Sequence, residues 1–143
     1  MRRFLYVNGQ DISHLVLGLA TEKEIDVLDK NDVGPEEYLN TVQVFLKENK
    51  LAVSDFEKIF VVAGPGSATA LRSILSIVNS IKFVLDAKVF PIEKKADEQD
   101  SYTFKLCLEG KIDEVEHKKY FFPIYENAPK ITLSTKDELG RAL

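Results

Sequence analysis

The sequence predicts a single mixed α/β domain, and two observations carry that expectation. The stretch Ile59-Phe60-Val61-Val62-Ala63 is apolar without alternation, the mark of a strand covered on both faces, as central parallel strands are. A Gly-Pro-Gly turn, a long apolar helix and a further strand at Val89–Ile92 follow directly. Residues 58–92 therefore read as strand, turn, helix, strand.

The segments before this unit complete a sheet. Phe4–Val7 is a short strand, Asn8-Gly9 suits a hairpin turn, and Leu15–Leu19 is the return strand. Thr21–Glu24 is a second polar turn and Ile25–Leu28 a third strand, so the chain opens as an antiparallel meander. Pro35 fits the first position of a helix, and Glu36 and Glu37 follow where the helix dipole favours negative charge. Tyr38, Leu39, Val42, Phe45 and Leu46 share one face of that helix, and Lys47 and Lys50 close it. The second helix, Ala68–Asp86, carries Leu71, Ile74, Leu75, Val78, Ile81 and Leu85 on one stripe, widened by Ile77 and Val84. Ser73, Ser76 and Ser80 line a second stripe of small residues. So broad an apolar girth means burial on two sides or contact with a partner; both readings stay open here. Pro91 places the strand Val89–Ile92 at a sheet edge. After a charged loop, Glu93–Asp100, the segments Tyr102–Leu108, 115–125 and 130–133 read as strands, with Glu109-Gly110-Lys111 as a hairpin turn and 134–143 as a polar tail.

Composition bounds the function. The chain has 143 residues, 45% hydrophobic and 29% charged, with net charge −4, an ordinary globular mix for one domain. That charge argues against a dominant nucleic-acid surface. The pairs Lys94-Lys95 and Lys118-Lys119 read as solvated, although such lysines are able to touch phosphate. The single cysteine, Cys107, allows no internal disulfide and reads as a small buried hydrophobe. No signal peptide or membrane span is legible, so the expected location is the cytoplasm. His14 and His117 lie far apart without ligand spacing, and no metal is expected.

Three antiparallel strands, helix, strand, helix, strand is the order of a ribonuclease H-like core, the repeating unit of the actin-type ATPases. It predicts a mixed sheet in the order 3-2-1-4-5 with the first strand central, plus a small C-terminal β extension. The specific signal is the loop Gly64-Pro65-Gly66-Ser67-Ala68-Thr69-Ala70-Leu71-Arg72. Glycines permit unusual backbone angles and close approach, Ser67 or Thr69 is placed to cap the helix, and free amides at the helix start suit an anion. No Gly-Lys-Ser/Thr follows, so this is not a Walker loop.

Residues 59–92 resemble the TsaB (YeaZ) family, a subunit of the bacterial machinery that makes threonylcarbamoyladenosine in tRNA. The family hallmark Gly-Pro-Gly-Ser-Phe-Thr-Gly-Leu-Arg is matched at Gly64, Pro65, Gly66, Ser67, Thr69, Leu71 and Arg72. Ala68 replaces an aromatic residue and Ala70 a glycine. Asn8 stands where the family's first strand usually ends in Asp. The resemblance covers about residues 1–95, implying a first lobe there, a β-rich extension over 96–133 replacing a second lobe, and a tail over 134–143. It also implies a non-catalytic scaffold without a cofactor. Such a scaffold would pair with a TsaD-like catalytic subunit through its two helices, here by way of Val42, Phe45, Leu71, Leu75, Ser76, Val78 and Asn79. A TsaE-like ATPase, a homodimer and indirect association with tRNA belong to the same expectation.

Residue chemistry points the same way. Phosphoryl transfer in an actin-like fold needs carboxylates near the first strand and a second lobe. Asn8 is neutral, Asp11 sits across the turn, and Asp26 and Asp29 read as solvated charges. A nuclease needs carboxylates on the fourth strand, which has none. No triad or zinc motif supports a hydrolase. The competing reading is a small-molecule or nucleotide-binding domain of the actin-like fold that uses the Gly64–Ser67 loop.

Overall fold

The computed structural model describes residues 2–85 and 88–112. Among these residues five strands, β1 (Arg3–Asn8), β2 (Leu15–Thr21), β3 (Ile25–Asn31), β4 (Lys58–Gly64) and β5 (Val89–Glu93), form one open sheet. Its order is β3-β2-β1-β4-β5, as the element order predicts. β2 runs antiparallel to β1 and β3, whereas β4 runs parallel to β1 and β5. Among the described residues, three α-helices flank it: α1 (Tyr38–Glu48), preceded by a 3-10 turn at Pro35–Glu37, α2 (Ala68–Leu85) and α3 (Asp100–Leu108).

Strand residues alternate between two cores because successive side chains point to opposite faces. Leu5, Val7, Ile59, Val61 and Ala63 meet Tyr38, Val42, Phe45, Ile74, Leu75 and Val78 of α1 and α2. Phe4, Tyr6, Phe60, Val62 and Ile92 meet Phe104 and Cys107 of α3. The unbroken apolar run of β4 is thus explained: both of its faces are covered. Pro91 sits in β5, which is an edge strand among the described residues, as expected. Cys107 is buried.

Four local expectations are corrected. Tyr102–Leu108 is helix α3, not a strand. Thr103, Phe104 and Cys107 share the buried side, with Phe104 stacked on Tyr6 at 5.0 Å between ring centroids. Glu109-Gly110-Lys111 is the end of that helix rather than a hairpin turn. The Gly110 amide donates to the Cys107 carbonyl (3.1 Å) and the Lys111 amide to the Leu106 carbonyl (2.9 Å), the paired bonds of a Schellman ending. Asn8-Gly9 does not form a two-residue turn, because β1 and β2 are joined by residues 9–14. Lys50 is not in the last turn of α1; it follows the helix with φ 58°, and the Lys50 and Leu51 amides close a second Schellman ending on the Lys47 and Leu46 carbonyls.

The expected strands at 115–125 and 130–133, the Lys118-Lys119 pair, His117 and the tail 134–143 lie outside the described residues. Among the described residues, no helix is long and apolar enough to cross a membrane.

Candidate functional site

The Gly-Pro-Gly loop ends β4 and starts α2. Gly64 has φ 132°, a value that favours glycine, and the Gly64–Pro65 peptide is cis. Gly66 is needed for close approach: a Cβ there would stand 2.5 Å from the Gln10 carbonyl oxygen. The Ser67 amide donates to that same carbonyl at 2.8 Å, and the Ser67 hydroxyl accepts from the Ala70 amide at 3.3 Å. Ser67, not Thr69, therefore caps α2. Thr69 and Arg72 are exposed and Leu71 is buried. The motif's own polar groups are largely engaged in fastening α2 to the β1–β2 loop.

Beside that loop, at the end of the sheet where β1, β4 and β5 all terminate, lies a cleft of about 430 Å³. Open α/β sheets bind ligands at this edge. Asn8, Gln10, Asp11, His14, Lys30, Pro65, Gly66, Ser67, Lys94, Glu98 and Asp100 contribute to its lining. A smaller cavity of about 200 Å³, lined by Arg3, Asp26, Asn49 and Phe56 among others, contains none of these groups.

Asn8, Gln10 and Lys94 are buried polar residues that converge on the cleft floor. The Asn8 side chain accepts from the Gln10 amide (2.9 Å) and donates to Gln10 Oε1 (3.1 Å) and Asp100 Oδ1 (2.7 Å). Gln10 Nε2 donates to the Pro65 and Lys94 carbonyls at 2.8 and 2.9 Å. Lys94 Nζ donates to Gln10 Oε1 at 3.0 Å and to the Lys95 carbonyl at 2.9 Å. The Tyr6 hydroxyl donates to Asp100 Oδ1 at 2.6 Å. Burial, and then the charge of Asp100, push Tyr6 well above the usual tyrosine range. At the rim, the Ser13 backbone amide and then His14 hold Asp11 below the usual carboxylate range. The His14 ring nitrogens lie 3.0 Å from Asp11 Oδ2 and 3.2 Å from Asp32 Oδ1, bridging the β1–β2 loop to the end of β3.

The reading of Lys94 as a solvated partner of Lys95 is therefore corrected: Lys95 is exposed and Lys94 is 3% exposed. Gln10 and Asp100 were not singled out in the sequence. The available signal was position, since both flank strand or helix ends that meet at the same sheet edge. Among the described residues, no cluster of three or more metal-ligating side chains occurs.

Of the residues expected at a partner face, Val42, Phe45, Leu71, Leu75 and Val78 are buried inside this chain. Ser76 is exposed and Asn79 half-buried. The stripe that does reach the surface is Thr69, Arg72, Ser76, Ser80 and Phe83, at intervals of three and four residues. It ends in two strongly exposed apolar side chains, Phe83 at 69% and Val84 at 74%. Most of the apolar girth of α2 thus serves the chain's own core.

Two solved structures share this arrangement: "YeaZ from Pseudomonas aeruginosa", with a TM-score of 0.57, and an uncharacterized protein from the same organism "with similarity to peptidase YEAZ", with a TM-score of 0.56. Each is 21% identical to this chain and covers 65% of it. The fold is that of YeaZ. This chain spans 44% of the length of either structure. A family model described as TsaD, tRNA N6-adenosine threonylcarbamoyltransferase, matches residues 36–95, which include α1, β4, the Gly-Pro-Gly loop, α2 and β5. No curated protein matches the sequence. The TsaD model thus covers the part of the molecule that carries the motif.

Proposed function

We propose that this chain is a non-catalytic partner subunit in the formation of N6-threonylcarbamoyladenosine in tRNA. In this reading it docks on a TsaD-like catalytic subunit in the cytoplasm. The observation that carries it is the YeaZ fold joined to a TsaD family match over the two-helix unit and its loop. Chemistry at the end of β1 supports a scaffold: Asn8 supplies an amide, not a carboxylate, and both of its polar atoms are bonded to neighbouring side or main chains. The docking surface is the exposed stripe of α2, ending at Phe83 and Val84. Scattered exposed apolar residues are ordinary; these two are adjacent at the end of one helix. The same stripe is open to a second copy of the chain before the catalytic partner arrives, and a TsaE-like ATPase would join the assembled pair.

The test is co-expression with a TsaD-like subunit and recovery of the complex by affinity and size exclusion. Ser76→Arg and Phe83→Asp change exposed positions and are expected to lose the complex while keeping the melting profile. Tyr102→Ser, an exposed change on α3, is expected to retain it. The reading fails if the wild-type chain forms no complex, or if Ser76→Arg and Phe83→Asp both assemble like the wild type.

A further inference from the structure

Lys94 is the charged side chain among the buried described residues. An ammonium carries three donors. Two are matched, by Gln10 Oε1 and by the Lys95 carbonyl, and both acceptors are neutral. No carboxylate pairs with Lys94 among the described residues. The third donor has no acceptor there, and the residue lines the 430 Å³ cleft. A buried charge without a direct ion-pair partner is unfavourable, and an anion in the cleft would supply one.

The surroundings narrow that anion. Three carboxylates line the same cleft: Asp11, Glu98 and Asp100. Each already accepts from a neighbour: Asp11 from the Ser13 amide, Glu98 from the Lys95 amide, and Asp100 from Tyr6 and Asn8. Asp11 and Glu98 stay close to the opening, where they repel a multiply charged group and can accept from a hydroxyl or an ammonium. The cations are Lys94 on the floor and Lys30, which is exposed. One buried positive charge below a ring of negative ones suits a ligand with a single negative charge. The volume lies within the roughly 300–1,000 Å³ usual for small-molecule sites.

We propose that this cleft binds a small monocarboxylate bearing a donor group, of the hydroxy-acid or amino-acid class. Its carboxylate meets the free N–H of Lys94 beside Gly66 and Ser67, and its donor group meets Asp11 or Glu98. The inference does not rest on the partner-subunit reading, since it needs no second protein.

The experiment uses the full chain, isotopically labelled, with lactate, free glycine, acetate, inorganic phosphate and Mg-ATP as probes at constant ionic strength. Lactate or glycine is expected to shift the amides of Gln10, Gly66, Ser67 and Lys95 saturably, and to bind more tightly than acetate, phosphate or ATP. Lys94→Met is expected to weaken that binding about tenfold or more, as loss of a charge-assisted hydrogen bond does. Lys94→Gln, which keeps neutral donors, provides the same readout if the methionine variant does not fold. The probe ranking on the wild-type chain needs neither variant. The inference is overturned if neither lactate nor glycine gives a saturable shift at these amides. It is equally overturned if phosphate or ATP binds more tightly than both, or if a folded Lys94 variant binds like the wild type.

Discussion

Replacing Tyr6 with Phe removes one oxygen from the interior and keeps the ring that stacks on Phe104. That oxygen donates to Asp100 at 2.6 Å, and Asp100 is the first residue of α3, so the bond ties α3 to the central strand. A hydrogen bond to a charged group contributes about 1.5–3 kcal/mol. For a chain of this size that corresponds to a fall of roughly 6–12 °C in melting temperature, measurable by circular dichroism with urea unfolding as a check. A second signature is set by pH. The pKa of Tyr6 is raised in the folded state, first by burial and then by Asp100. The sign follows directly: the neutral hydroxyl's contribution is complete below the unfolded value of about 10 and declines as pH rises toward the folded value. Above about pH 10 the unfolded chain releases a proton that folded Tyr6 retains, and stability falls by about 1.4 kcal/mol per pH unit for this group. Tyr6→Phe lacks that term, so its deficit relative to the wild type should shrink between about pH 9 and about pH 11. A variant within about 0.5 kcal/mol of the wild type at neutral pH, or a deficit that stays constant through the alkaline range, would refute the reasoning.

Tyr38, in the core on the opposite face of the sheet, behaves oppositely. The Tyr38 hydroxyl is buried without a hydrogen-bond partner among the described residues, so Tyr38→Phe should leave stability unchanged or raise it by up to about 1 kcal/mol in urea unfolding. Lys50 holds φ 58° after α1, a left-handed conformation that disfavours a side chain; Lys50→Gly should raise the unfolding free energy by about 1 kcal/mol. Gly66→Ala forces a Cβ onto the Gln10 carbonyl and should lower stability by about 1–3 kcal/mol, with amide shifts at Gln10 and Ser67 reporting the displaced loop.

The sheet was legible because its strands are locally consistent. β4 is apolar on both faces, the meander is punctuated by polar turns, and Pro35 and Ser67 mark two helix starts. α3 was misread for a physical reason: Tyr102, Thr103, Phe104, Cys107 and Leu108 are aromatic, β-branched or apolar in a short run, which imitates a strand. Its helical signals were Asp100 in the first turn and Gly110 just past the end, with Phe104 and Cys107 three apart. The wide apolar stripe of α2 was visible, but sequence alone could not tell a covered face from an uncovered one. Coverage depends on the register of α2 over β1 and β4, and those contacts are distant along the chain. The cleft was hidden for the same reason. Lys94 looks like one of many surface lysines until the ends of β1 and β5 are brought side by side.

Asn8 has a further consequence for how substitutions combine. Its carboxamide touches Asp100 on one side and Gln10 on the other, and Gln10 in turn touches Lys94. Four side chains from two distant stretches of the sequence thus form one relay. Energies along such a relay are not additive, so Asn8→Ala and Lys94→Met together should differ from the sum of their separate effects, and the start of α3 should register what happens at the end of β5.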